Sequence, residues 1–130
     1  GTERSESPKE SELRWYWHEA GLPTPIANAR IFDLHGNFVA RVDILEPLSG
    51  YVGEFNGGYH AEGDQPLLDA RRVGALEQLN FTVDVFTKEH LRQPGLDSLP
   101  QMMRRGHRRA RRRDPRRDRW HSPEAETPRP

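Results

Sequence analysis

The most informative segment for the fold of this chain is residues 38–57, FVARVDILEPLSGYVGEFNG. Its two ends, residues 38–45 and 51–56, have compositions that favour β-strands, and the segment between them contains the turn residues Pro47 and Gly50. This pattern predicts a β-hairpin.

Two carboxylates lie opposite each other in the predicted hairpin. If its centre falls between Leu48 and Ser49, Asp43 pairs with Glu54, because both are equally distant from that centre. Directly opposed side chains have Cβ atoms about 4.5–5.5 Å apart, and like charges at that distance destabilise a sheet unless they are neutralised. A divalent cation such as Mg²⁺ or Mn²⁺ would neutralise them, since it prefers oxygen ligands. The alternative is two solvated carboxylates on the hairpin surface.

The segments around the hairpin predict an α/β domain with a mixed sheet flanked by helices. A strand that follows a crossover helix is expected beside the antiparallel three-stranded meander. The predicted elements outside the hairpin are a helix that starts at Pro8 and ends at Gly21, a strand over residues 27–34, a helix over 65–79, a strand over 81–87, a short helix over 88–92 and a helix over 96–103.

Charge divides the chain unevenly. Residues 1–6 are expected to form a disordered lead-in and residues 7–103 the α/β domain. Residues 1–103 hold 9 Lys and Arg against 16 Asp and Glu, whereas residues 104–119 hold 10 Arg against 2 Asp. Because apolar residues nearly vanish after position 103, we expect residues 104–130 to form a basic, disordered tail.

The composition also excludes several classes of protein. The absence of cysteine excludes disulfides, thiolate zinc sites and cysteine nucleophiles. No apolar run reaches the length of about 18 residues that a membrane span needs, and no signal peptide is visible. We therefore expect a cytoplasmic protein without a membrane partner. Because the chain begins with Gly1 rather than Met, it is expected to be a trimmed form or a fragment of a longer protein.

Six motifs follow one another in a characteristic order. They are SPKESELR (residues 7–14), AGLP (20–23), RVD (41–43), EFNG (54–57) followed by His60, DARR (69–72) and LNFTV (79–83). In this order the chain resembles, over roughly residues 7–93, the domain-of-unknown-function-559 family. That family is related to the very-short-patch repair endonuclease and to the PD-(D/E)XK superfamily. The resemblance implies a restriction-endonuclease-like fold and a magnesium-dependent endonuclease that acts on DNA.

The resemblance also implies a set of site residues. Asp43 and Glu54 would bind Mg²⁺ or Mn²⁺ together with the backbone carbonyl of Phe55. Glu10 and His60 would assist, and a histidine with a pKa of about 6.5 suits a general acid or base. For Glu10 the alternative is a helix capping box with Ser7, and for His60 it is a solvated loop position.

Two positions depart from the family pattern. Asn56 stands where the family usually has an acidic residue and where a superfamily lysine would often be found. Residues 83–86 read VDVF, whereas the family's final strand usually carries a basic residue near its end. Because Asn56 can orient a water but cannot stabilise charge as lysine does, we expect weak or conditional hydrolysis.

Arginines are the candidate contacts to DNA. Arg72 is expected to pair with Asp69, three positions away on one helix. The alternatives are that the two residues help to fix the wall of the site or touch phosphate. The tail residues expected to bind phosphate are Arg104, Arg105, Arg108, Arg109, Arg111, Arg112 and Arg113. Binding of this kind releases counterions and weakens as salt rises. The alternatives are a solubilising tail and a tail that folds back onto the acidic domain.

Two functional hypotheses follow. The first is a metal-dependent, nuclease-like DNA-binding domain. The second is a non-catalytic module that binds nucleic acid or a protein partner, for which Asn56 and the non-basic end of the final strand are arguments.

Overall fold

A computed structural model describes residues 8–55, 65–92, 94 and 98–126, with side chains described for residues 11–55, 70–91, 94 and 98–126. The helices are α1 (Pro8–Glu19), α2 (Gln65–Gln78), α3 (Leu99–Arg111) and α4 (Pro123–Glu126), with 3₁₀ helices at Lys88–Arg92 and Pro115–Arg117. The strands are β1 (Ile26–Asp33), β2 (Phe38–Glu46), β3 (Tyr51–Phe55), β4 (Thr82–Phe86) and β5 (Trp120–His121). None of the described helices has the length and apolar character needed to cross a membrane.

One mixed sheet organises the fold, with strand order β4-β3-β2-β1-β5. Strands β1, β2 and β3 form the predicted antiparallel meander, and β4 lies parallel to β3 after the crossover helix α2. The α/β class with a mixed sheet flanked by helices is therefore confirmed. The predicted and observed bounds of β1, α2 and β4 agree to within one residue at each end.

The sheet separates two hydrophobic clusters. Neighbouring residues of one strand point to opposite faces, so Tyr51 and Val52 belong to different clusters. The first cluster joins the sheet to α1 and α3 through residues such as Trp17 and Met103. The second joins it to α2 through Leu76. Helix α2 therefore covers one face of the sheet, and α1 and α3 cover the other.

Residues 104–126 correct the sequence analysis, because they are ordered and belong to the domain. Helix α3 extends to Arg111, and β5 pairs with β1 at Phe32 and Asp33. Composition predicted disorder because apolar residues are few, but those present lie at helical spacing. The buried residues of α3 are Leu99, Met103, Gly106 and Ala110. One narrow apolar stripe is enough to dock the helix. Residues 1–6 of the expected lead-in lie outside the described part.

Gly106 sets how closely α3 approaches the sheet. A Cβ at this position would collide with the carboxylate of Asp84 on β4 and with the hydroxyl of Tyr51 on β3. The missing side chain lets the helix backbone lie directly over these two polar groups. The close approach also explains how a helix with few apolar residues buries its inner face.

The C-terminal segment covers the edge of the sheet at β1, where β5 pairs with that strand. Trp120 packs on Phe81, with ring centroids 4.5 Å apart. In α4, Glu124 accepts hydrogen bonds from the backbone N–H of Arg30 at 2.9 Å and from its Nε at 2.8 Å. These contacts hold residues 120–126 on β1.

Candidate functional site

The β2–β3 hairpin has the register that the sequence predicts. Ile44 pairs with Gly53 and Glu46 pairs with Tyr51, so the hairpin is centred between positions 48 and 49. The pairing ends at Ile44 and Gly53, and Asp43 and Glu54 are the next residues of the two strands. The two carboxylates proposed as metal ligands therefore lie on adjacent strands at the same end of the hairpin.

Asp43 lies where the regular pairing of β2 is interrupted. Its carboxylate oxygen Oδ2 accepts a hydrogen bond from the backbone N–H of Phe55 at 2.8 Å. On the other side of β2, Asn28 has a φ of 55°, the left-handed region that asparagine tolerates better than most residues. Asp43 thus uses its side chain to hold the end of β3.

Glu54 is neutralised by an arginine from helix α2. The glutamate is 8% exposed, and its two carboxylate oxygens accept from Nε and Nη2 of Arg72, each at 2.8 Å. Nη2 of Arg72 also donates to the backbone carbonyl of Arg41. Paired bonds of this kind are among the stronger polar contacts in proteins. The positive charge that the sequence analysis assigned to a cation is supplied here by Arg72.

The expectations for Arg72 can now be compared with its contacts. The described carboxylate partner of Arg72 is Glu54, 18 residues earlier in the chain. The side chain of Asp69 lies outside the described residues. A contact between Arg72 and phosphate would have to compete with this bidentate pair.

The donor set at this end of the hairpin fits a hard divalent cation in type. Asp43 and Glu54 offer carboxylate oxygens, and the carbonyl of Phe55 is the adjacent backbone oxygen. Within the described side chains no group of three or more His, Cys, Asp or Glu residues is placed to hold a metal. A cation would also compete with Arg72 for the oxygens of Glu54.

Three predicted site residues lie outside the described side chains. Asn56 and His60 belong to the segment between β3 and α2. Glu10 belongs to α1, which begins at Pro8 as the capping motif predicts, but its side chain is not described. Their predicted roles remain predictions.

The arginines of α3 and the following segment divide into two groups. In the first group, the guanidinium groups bind elements of the domain. Nε of Arg104 donates to the carbonyl of Ala20 at the end of α1 at 3.0 Å, and Arg109 pairs with Asp84 at 2.7 Å. Arg113 binds Asp118 through two bonds of 2.9 and 2.7 Å. The contacts of these three arginines agree with the alternative in which the tail folds back onto the domain.

The second group faces solvent. Arg105, Arg108, Arg111 and Arg112 are all exposed. Arg104, Arg109 and Arg113 already have structural partners. The prediction that the run binds phosphate therefore narrows to Arg108, Arg111 and Arg112, whose side chains have no partner among the described residues.

Asp84 has a structural role that sequence reasoning missed. The hydroxyl of Tyr51 donates to its Oδ2 at 2.6 Å, and Arg109 binds Oδ1. Burial raises the pKa of Tyr51 far above its usual value, and the nearby Asp84 carboxylate raises it further. The residue that seemed a departure from the family's final strand is thus an anchor for α3. No local signal could have identified it, because its partners are 25 and 33 residues away.

Val85 occupies the position on β4 that pairs with Glu54. It is 37% exposed and provides no charge next to the two carboxylates.

No family model, no curated protein and no solved structure matches this chain. The resemblance to the domain-of-unknown-function-559 family therefore remains a prediction carried by the motifs of residues 7–93.

Proposed function

We propose that this chain is a nuclease-like domain in which Asp43 and Glu54 hold a divalent cation for phosphodiester hydrolysis in DNA. The observation that supports the proposal is the hairpin register, because it puts the two carboxylates on adjacent strands at the same end of the hairpin. The order of helix, three-stranded meander, crossover helix and parallel strand agrees with the restriction-endonuclease-like fold that the resemblance implies.

A bound Mg²⁺ or Mn²⁺ would lower the pKa of a water and stabilise charge on the phosphate. The protein's own part would be to present oxygen ligands. Asp43 is held in place by the N–H of Phe55, so its position does not depend on the metal. Glu54 must first give up Arg72. Because that exchange costs free energy, we expect weak or conditional activity.

The test is cleavage of supercoiled and single-stranded DNA in magnesium or manganese. The variant combines Asp43→Asn with Glu54→Gln, since both amides keep the shape and an oxygen that can still accept hydrogen bonds. Glu77→Gln, an exposed glutamate on α2, is the matched control. We expect cleavage by the wild type and by the control, and a loss of at least tenfold in the double variant. Equal cleavage by all three proteins would refute the proposed site.

A second candidate function is a non-catalytic binding module. The observation that favours it is the bidentate pair between Arg72 and Glu54, which neutralises the glutamate without any metal. Val85 beside Glu54 and Asn56 after it provide no lysine-like charge for catalysis.

Manganese binding separates the two candidates. Electron paramagnetic resonance of Mn²⁺ would count bound ions on the wild type and on Asp43→Asn. A nuclease-like site requires binding that the substitution weakens. Absence of binding to the wild type would favour the non-catalytic module.

A further inference from the structure

We propose that the outward face of α3 is a docking surface for the phosphate backbone of double-stranded nucleic acid. The surface, called here the α3 basic face, consists of Arg108 and Arg111 of α3 and of Arg112 at the C-cap of the helix. The inference rests on the proposed nucleic-acid function but not on a metal, because the α3 basic face and the two carboxylates belong to different layers of the fold.

Helical geometry places these arginines away from the sheet. The buried stripe of α3 runs through Met103, Gly106 and Ala110. At about 100° per residue, positions 108 and 112 point to the opposite side of the helix, and position 111 lies at its flank. All three residues are exposed, as this geometry requires.

Among the described residues, no acid pairs with the α3 basic face. Helix α3 contains no Asp or Glu. The next acids in the chain are already paired, Asp114 with Arg116 and Asp118 with Arg113. The side chains of Arg108, Arg111 and Arg112 make no hydrogen bond or ion pair with the described residues, so their guanidinium groups are available to an external anion.

The spacing of the charges fits a duplex backbone. Positions 108 and 112 are about 6 Å apart along the helix axis, and duplex DNA carries roughly one negative charge per 1.7 Å of its own axis. Several phosphates therefore fall within reach of one rigid row of arginines. Guanidinium groups suit phosphate because they can donate two parallel hydrogen bonds to it.

The row of arginines is rigid because other arginines hold the helix. Arg104 is bonded to the end of α1, and Arg109 is bonded to Asp84 on β4. The arginine run thus has two functions, with the inward members fixing α3 and the outward members presenting charge. Pre-organisation of this kind reduces the entropy lost on binding.

The α3 basic face is separated from the two carboxylates. Helix α3 packs on the sheet face of Tyr51 and Met103, whereas Arg72 reaches Glu54 from α2 on the opposite face. Binding through α3 should therefore persist in EDTA. Because the face has no pattern for reading bases, we expect binding without sequence preference.

The experiment measures fluorescence anisotropy of a short labelled DNA duplex, and of an RNA duplex of the same sequence, with the full chain in EDTA. The test variant is Arg108→Gln with Arg112→Gln. The control is Arg71→Gln with Lys88→Gln, which removes two exposed charges elsewhere. Each phosphate contact contributes close to tenfold in affinity at about 0.1 M salt. We therefore expect the test variant to bind at least tenfold more weakly and with a shallower salt dependence, and the control to lose less than threefold.

The outcomes are distinct from those of the cleavage test, since no metal is present. Binding to both duplexes would identify the phosphate backbone, which DNA and RNA share, as the ligand. Preferential binding to one duplex would show which nucleic acid supplies that backbone. The proposal would be overturned if the wild type binds neither duplex, or if test and control variants lose affinity equally. It would also be overturned if the chain binds phosphatidylserine vesicles but no duplex.

Discussion

Two buried glutamates of one hairpin obtain their hydrogen-bond partners in different ways. Glu46, at the end of β2, is 1% exposed and accepts from the N–H groups of Leu48 and Ser49 at 2.8 and 3.1 Å. The hydroxyl of Ser49 donates to it at 2.6 Å. Glu54, in β3, is 8% exposed and is bound by Arg72 from another element.

This difference distinguishes a carboxylate with a structural role from a carboxylate that could bind a ligand. The donors of Glu46 lie two and three residues away and form the turn itself, so no ligand could replace them without unfolding the hairpin. Nε2 of His107 lies 3.2 Å from the same carboxylate and links the turn to α3. The partner of Glu54 is a side chain 37% exposed, which a cation could displace while the sheet stays intact.

The largest expected effect comes from removing the turn carboxylate. Glu46→Ala leaves the buried N–H of Ser49 without an acceptor and leaves the Ser49 hydroxyl only a long contact of 3.5 Å to the backbone carbonyl of residue 46. A buried donor that loses its acceptor costs about 1–3 kcal/mol. We expect the free energy of unfolding in urea to fall by about 3 kcal/mol. Glu46→Gln keeps one acceptor oxygen and should cost less. A loss below about 1 kcal/mol for Glu46→Ala would contradict the structural role.

A smaller effect is expected from removing the partner of Glu54. Arg72→Met leaves a nearly buried carboxylate unpaired, but water can reach part of this pair, so we expect a loss of about 1–2 kcal/mol in EDTA. Because the substitution frees the oxygens of Glu54, saturating magnesium should restore part of this stability, as any ligand of the folded state does. The measurement is urea unfolding with and without magnesium.

Arg109→Met is the matched control for this prediction. It also removes an arginine from a carboxylate, but Asp84 retains the hydroxyl of Tyr51. If magnesium stabilises the Arg109→Met and Arg72→Met proteins equally, the carboxylates at Asp43 and Glu54 do not bind the added cation.

The smallest effect is expected at a third carboxylate, Glu124, which is more exposed than either glutamate of the hairpin. Burial alone would raise its pKa, but hydrogen bonds from the backbone and side chain of Arg30 outweigh burial, so the pKa is lowered from its usual 4.5. A lowered pKa stabilises the fold above the usual value, and this stabilisation is lost as the pH falls through the lowered pKa.

The corresponding measurement compares the wild type with Glu124→Gln from neutral pH to about pH 3. We expect the wild type to be more stable at neutral pH by up to about 1 kcal/mol, since the pair with Arg30 is partly exposed. This advantage should disappear in acid. An advantage that grows as the pH falls would show that the sign of the shift is wrong.

Local sequence patterns were sufficient for four of the five strands and for the register of the β2–β3 hairpin. The turn residues between Glu46 and Gly50 determine the hairpin centre, and register follows because a shift by one residue would turn every side chain to the wrong face. The start of α1 and the crossover to β4 were likewise predictable from capping residues and hydrophobic spacing.

The arginine-rich segment was not predictable from composition. Its order depends on a sparse stripe of buried residues and on a glycine that lets α3 approach Tyr51 and Asp84. A count of apolar residues does not detect the spacing of such a stripe, and it does not show that distant acids and carbonyls are available to arginine.

Neighbouring residues and composition were enough to predict the meander of β1, β2 and β3, the hairpin register and the excess of positive charge after position 103. Which groups neutralise one another depends on the tertiary structure. It placed Arg72 on Glu54, it placed Arg104 and Arg109 on α1 and β4, and it left the α3 basic face exposed. The physical reason is that an ion pair between distant residues exists only after packed helices have brought its two charges within hydrogen-bond distance.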